Sequence, residues 1–70
     1  MEAYQKRVIE EREELADKTA KLAGFIDGAH RTSVFAELPV DEQVRLKVQL
    51  AAMVLYLKTL DERIEAFEGE

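Results

Sequence analysis

The stretch LKVQLAAMVLYLKTLDERIEAF, residues 46–67, decides the fold of this chain. Large apolar residues recur along it at alternating steps of four and three, which is the repeat of a helix that packs lengthwise against another helix. The residues of this repeat, which we call the inner seam, are Leu46, Leu50, Met53, Leu57, Leu60, Ile64 and Phe67. We therefore predict one long helix over residues 41–67, with Asp41 as its N-cap or Pro39 in its first turn.

The same helix carries a second apolar stripe. This outer stripe comprises Val44, Val48, Ala51 and Leu55, and Val54 widens it. A helix that is apolar on more than one side is normally buried on more than one side. Because one neighbouring helix covers only one stripe, the pattern predicts that another copy of the chain covers the other.

The segment 2–27 is predicted to be the other long helix. It is rich in strong helix formers, and Gly28 follows it in the position that glycine favours just past a helix end. Apolar residues on one face are Tyr4, Val8, Leu15, Leu22 and Ile26. Arg12 and Thr19 interrupt that face. We expect Arg12 to pair with an acidic residue of the second long helix or, alternatively, with a carboxylate or phosphate of a ligand.

Residues 28–40 form the connector between the two predicted helices. A short helical turn at 33–38 would point Phe35 and Leu38 inward and close the end of a hairpin. The predicted fold class is all-α. One domain, residues 1–70, forms an antiparallel two-helix hairpin with a short helical turn in the connector, assembled as a homo-oligomeric helical bundle.

The composition of the chain and the absence of known catalytic motifs exclude several classes of function. The chain has 70 residues, no cysteine, one histidine and a formal net charge of −5, which disfavours disulfides, zinc sites and nucleic-acid binding. The longest apolar run, LAAMVLYL at 50–57, is much shorter than the roughly 20 residues of a membrane span. The N-terminal segment lacks the apolar stretch of a signal peptide, so we expect a soluble intracellular protein. No P-loop, nucleophile-elbow or metalloprotease motif is present, so we expect neither an enzyme nor a cofactor.

The polar corner His30-Arg31-Thr32-Ser33 is one candidate ligand site. A short helix starting near Ser33 would direct free backbone N–H groups at an anion, and Arg31 offers a planar fork of donors that suits phosphate. In the alternative interpretation the corner is only a polar turn, with Ser33 capping the helix and Arg31 in solvent.

Polar residues also follow the second long helix at steps of four or seven: Arg45, Gln49, Tyr56 and Arg63. They either fix the register of an interface or form the floor of a polar pocket in which Tyr56 stacks on a ligand. The predicted ligand-binding residues are His30, Arg31, Thr32, Ser33, Phe35, Arg45, Tyr56 and Arg12. No catalytic or metal-binding residue is predicted.

One set of residues spread over nearly the whole chain forms a recognisable pattern: Tyr4, Arg7, Glu14, Leu15, Lys18, Leu22, Phe25, Ile26, Phe35, Leu38, Glu42, Gln43, Leu46, Gln49, Met53, Tyr56, Leu60, Arg63 and Ile64. In this pattern the chain resembles a family of small uncharacterised helical proteins encoded by phages and prophages, including crAss-like phages. The resemblance implies a phage accessory protein without a catalytic motif, and His30 is not part of the shared pattern.

A phage origin favours a counter-defence role in the cytoplasm of the infected bacterial host. The favoured hypothesis is a homo-oligomer that sequesters a host immune nucleotide signal, such as a cyclic dinucleotide or a cyclic ADP-ribose derivative, without cleaving it. One alternative is a protein–protein interaction module that inhibits a host protein through the spare apolar stripe. Another is a structural coiled-coil subunit.

Overall fold

The computed structural model, which describes residues 1–28 and 34–68, is helical over almost all of that range. Its helices are α1 (Ala3–Asp27), α2 (Val34–Glu37) and α3 (Val40–Glu68). The helices predicted from the sequence were 2–27, 33–38 and 41–67. The all-α class predicted from the sequence is confirmed. Among the described residues, no helix combines the length and the hydropathy of a membrane span.

Both ends of α1 are defined by local hydrogen bonding and backbone geometry. At the start, the backbone N–H of Glu2 donates to Oε1 of Gln5 at 2.8 Å, which satisfies a donor that the helix itself leaves free. At the end, Gly28 adopts the left-handed conformation with φ 62° and ψ 36°. This confirms the expected C-terminal glycine, since residues with a Cβ are disfavoured at positive φ.

The N-cap of α3 is not Asp41, which was one of the two arrangements predicted from the sequence. The carbonyl oxygen of Pro39 accepts hydrogen bonds from the backbone N–H groups of Glu42 and Gln43, each at 3.0 Å. The helix therefore starts at Val40, and Asp41 lies inside its first turn and is not the N-cap. There its carboxylate lies near the positive end of the helix dipole. The side chain of Gln43 donates to the carbonyl of Leu38 at 2.8 Å and ties the connector to α3.

The two long helices pack against each other in opposite directions. Tyr4 near the start of α1 meets Phe67 near the end of α3, with ring centroids 5.6 Å apart. Phe25 at the other end of α1 meets Phe35, with ring centroids 6.0 Å apart. Between these ends, Leu60 is completely enclosed and Val8 is 6% exposed. The inner seam residues are all buried or half-buried, as their spacing predicts.

The outer stripe lies on the side of α3 that faces away from α1. Val44, Val48 and Leu55 are 54%, 64% and 65% exposed, and Ala51 is exposed as well. The molecule is elongated, with extents of 48 × 20 × 16 Å, so nothing else in the described chain covers this stripe. A single copy of the protein therefore leaves a row of apolar side chains in water.

Alanine substitutions at Gly24 and Gly28 are expected to change the free energy of unfolding in opposite directions. Gly24 is inside α1, and a Cβ added there meets no heavy atom within 4 Å. We expect Gly24→Ala to stabilise the fold by about 0.5–1 kcal/mol, because alanine loses less backbone entropy in a helix. We expect Gly28→Ala to destabilise it by about 1 kcal/mol, because its φ is left-handed. Urea denaturation followed by circular dichroism at one protein concentration measures both. Shifts of the same sign would contradict these assignments.

Candidate functional site

Arg12 forms the expected ion pair with the second long helix. Its Nε donates to Oδ1 of Asp61 at 2.7 Å. The hydrogen bond raises the pKa of Arg12 above its ordinary value, and the negative charge of Asp61 acts in the same direction. The side chains are 39% and 49% exposed, so water screens the pair and it contributes little to the stability of the fold. Thr19, the other residue that interrupts the apolar face, donates its hydroxyl to the carbonyl of Leu15 at 2.6 Å.

Tyr56 forms a second polar contact between the long helices. Its hydroxyl donates to Oε2 of Glu11. This hydrogen bond raises the pKa of Tyr56 above its ordinary value, the charge of Glu11 adds to the effect, and the positive charge of Arg63 opposes it. The ring remains 45% exposed. Tyr56 therefore holds the Glu11 carboxylate while keeping part of its ring open to solvent.

The remaining predicted site residues lie elsewhere. His30, Arg31, Thr32 and Ser33 are outside the described residues. Phe35 is only 7% exposed, and Nζ of Lys47 lies 5.8 Å from its ring centroid. Arg45 donates from Nε to Oε1 of Glu42 at 2.8 Å on the surface of α3. The described candidates thus do not converge on one place, and Phe35 is part of the packing at the connector.

An open groove of about 540 Å³ runs along one flank of the helix pair. We call it the flank groove. Its lining residues are Tyr4, Arg7, Val8, Glu10, Glu11 and Glu14 of α1 and Arg63 of α3. Spacings of three and four put the polar residues of α1 on one side of that helix. Arg12 and Asp61 lie on the opposite flank, since they are offset from these residues around each helix.

The flank groove is the feature that the sequence analysis missed. Arg7 and Glu14 are seven residues apart on α1, and Tyr56 and Arg63 are seven apart on α3. Each spacing repeats every two helical turns and so marks one line along a helix. Those two lines were visible in the sequence. Their meeting depends on the rotation and register of the two helices, which packing of the seam determines.

A smaller and more apolar groove lies at the other end of the molecule. Its volume is about 440 Å³, and it is lined by Ala23, Gly24, Ile26, Asp27 and Leu50. It offers a ligand a single charged side chain. Within residues 1–28 and 34–68, no group of three or more His, Asp or Glu side chains is arranged to hold a metal ion.

Fold and surface together define a small all-α protein with ligand-sized grooves along a pair of long helices. Comparison with known families assigns it further: the chain belongs to the Sequestin family, which it matches over residues 2–66. The family name indicates sequestration of a ligand, in agreement with the binding role predicted from the sequence. No curated protein and no solved structure matches the chain.

The hydrogen bond between Tyr56 and Glu11 predicts a pH dependence. A phenol whose pKa is raised by folding stabilises the protein fully below its unfolded pKa of about 10, and that contribution is lost as pH rises through the folded pKa. In a Tyr4→Phe background Tyr56 is the remaining tyrosine, so the absorbance of the phenolate reports it alone. We expect Glu11→Ala to lower the pKa of Tyr56 and the neighbouring Glu13→Ala to leave it unchanged. Equal titration curves for all three proteins would exclude the contact in solution.

Proposed function

We propose that this protein is a phage counter-defence protein that binds a host immune nucleotide signal and sequesters it uncleaved in the cytoplasm of the infected bacterium. The signal would be a cyclic dinucleotide or a cyclic ADP-ribose derivative. The observation that carries the proposal is the match to the Sequestin family over residues 2–66. A sequestering protein works by mass action, so its dissociation constant must lie below the concentration at which the signal activates its receptor.

The exposed arginines identified from the sequence remain candidates for the phosphate groups. Arg12 and Arg45 are paired with carboxylates at the surface, where such pairs contribute little stability. Exchanging the carboxylate for a phosphate therefore costs little. In the proposal, Arg31, Thr32 and Ser33 contribute further donors and His30 lies beside them. Tyr56 has an exposed ring for stacking, whereas Phe35 would first have to leave its contact with Phe25.

We also propose that the protein acts as a homo-oligomer in which a second copy covers the outer stripe. The support is the spacing of Val44, Val48, Ala51 and Leu55, which repeats every seven residues like the inner seam, together with their exposure. A chain of 70 residues buries little apolar surface as a monomer, so association would add stability that the single copy lacks.

The same exposed stripe supports a second candidate function, a module that docks on a host protein and inhibits it. Apolar side chains in a row on a helix are typical of helix-in-groove recognition. The two candidate functions differ in the molecule that the protein releases when it is denatured. A sequestering protein yields an intact nucleotide on denaturation, and a docking module yields a protein partner. A purely structural coiled-coil subunit yields neither.

Ligand recovery tests the proposed function directly. The purified protein is incubated with cyclic dinucleotides and cyclic ADP-ribose isomers, freed of unbound nucleotide, and denatured by heat. We expect at least one nucleotide to raise the melting temperature and to be recovered unchanged in mass, since a ligand that binds only the native state stabilises it. A linear or hydrolysed product in the released fraction would show cleavage. Failure of every nucleotide to bind would refute the proposed function.

Adjacent substitutions on α3 test the proposed assembly. Val48 is in the outer stripe, and its neighbour Gln49, also exposed, is not. We expect Val48→Glu to dissociate the oligomer, because burying an unpaired carboxylate is costly, and Gln49→Glu to leave it intact. Light scattering at micromolar concentration gives the mass of each protein. A monomeric native protein would contradict the assembly.

A further inference from the structure

The outer stripe is bounded by one charged residue on each side. Asp41 lies one step of the repeat before Val44, and Lys58 lies one step after Leu55. Both charged side chains are exposed, and neither forms an ion pair within residues 1–28 and 34–68. They lie about 25 Å apart along α3, too far to pair with each other in one copy. The stripe is therefore an apolar row with a negative charge at its start and a positive charge at its end.

Two copies of the outer stripe fill space more evenly when they run in opposite directions. Antiparallel pairing about the midpoint of the stripe places Val44 of one copy against Leu55 of the other. The inner layers then join Val48 to Ala51. Each layer thus combines a larger with a smaller side chain, as good packing requires. Parallel pairing would set Ala51 against Ala51 and leave that layer underfilled.

The charges at the ends of the stripe favour the same orientation. In the antiparallel pair, Asp41 of each copy lies beside Lys58 of the other, so opposite charges meet at both ends. In a parallel pair Asp41 would lie beside Asp41 and Lys58 beside Lys58. Charged residues that flank an apolar seam select the orientation of paired helices, because like charges in contact are disfavoured.

Antiparallel pairing also brings together two exposed residues of the polar stripe of α3. In one copy, Arg45 and Tyr56 are separated by about 16 Å along the helix. In the pair, Arg45 of one copy and Tyr56 of the other lie on the same side of the interface and within about one helical turn of each other in height. Their side chains are exposed in the single copy, so both remain available there.

We propose that two copies of the protein pair through the outer stripes of α3 in antiparallel orientation, with Asp41 of each copy beside Lys58 of the other. Arg45 of one copy and Tyr56 of the other then line a shared cleft between the copies. This inference rests on the proposed homo-oligomer and deepens it, because it assigns the orientation and the register of the interface.

Cysteine cross-linking tests the orientation, since the native chain has no thiol of its own. Val44→Cys and Leu55→Cys are prepared separately, mixed under reducing conditions and then oxidised. We expect covalent dimers that contain one chain of each kind, identified by mass spectrometry, and few dimers from either variant alone. Val40→Cys mixed with Leu55→Cys is the matched control, because Val40 is another exposed valine, one turn before Val44 and outside the stripe. We expect it to cross-link far less.

Charge reversal tests the register. Asp41→Lys alone and Lys58→Asp alone place like charges together at both ends, so each should weaken self-association about five- to thirtyfold in sedimentation equilibrium at low salt. The double variant Asp41→Lys/Lys58→Asp restores opposite charges and should associate like the native protein. That recovery also separates a contact between copies from damage to the first turn of α3, which the second substitution would not repair.

The outcomes separate this inference from the proposed assembly. A native protein that is monomeric at micromolar concentration refutes both and leaves the stripe free for a different protein. If Val44→Cys and Leu55→Cys each cross-link to themselves, the pair is parallel, so the inference is wrong and the assembly stands. If the native protein is oligomeric while the mixture does not cross-link and the single charge variants associate normally, another surface forms the interface and the inference is wrong.

Discussion

The packing of the inner seam of α3 against α1 is the contact on which the rest of the structure depends. Leu60 at its centre is fully enclosed, and Val8 of α1 is nearly so. The polar contacts between the helices, Arg12 with Asp61 and Tyr56 with Glu11, lie on either side of this packing. Exposed pairs of this kind contribute too little to hold two helices in register on their own. The apolar seam therefore determines the register, and the polar pairs form because the register brings them together.

The same geometry explains why the two sides of α3 differ so much. A single neighbouring helix shields the inner seam and leaves Val48 and Leu55 about two-thirds exposed. Within the described residues, the well-buried apolar side chains are Val8, Phe35 and Leu60, a small core for an independent domain. Apolar area left in water is a driving force for association. One copy of the chain thus leaves its uncovered apolar surface on the side of α3 opposite the inner seam.

Sequence periodicity predicted the structural features that depend on a single helix. The heptad spacing predicted the inner seam, and Gly28 predicted the end of α1. The charge of Arg12 on an otherwise apolar face predicted that it pairs with α3. Periodicity failed where two elements meet. Asp41 is a residue type that often caps helices, but in α3 the carbonyl of Pro39 accepts the first hydrogen bonds of the helix, so Asp41 lies inside the first turn. The contact of Tyr56 with Glu11 joins residues 45 apart, so it depends on a register that spacing along either helix does not contain. The flank groove was missed for the same reason.

In the proposed function an acidic protein binds an anionic signal, so the distribution of its charge along the molecule matters. The formal net charge of −5 is spread along a molecule 48 Å long, several times the Debye length of about 8 Å at physiological salt. A small ligand would therefore respond mainly to the nearest charged groups, which in the flank groove are Arg7 and Arg63 together with three glutamates. A long polyanion such as nucleic acid would extend along the whole acidic surface and be repelled by it. In the proposed function, short-range contacts with single arginines would thus suit a compact phosphorylated molecule better than nucleic acid.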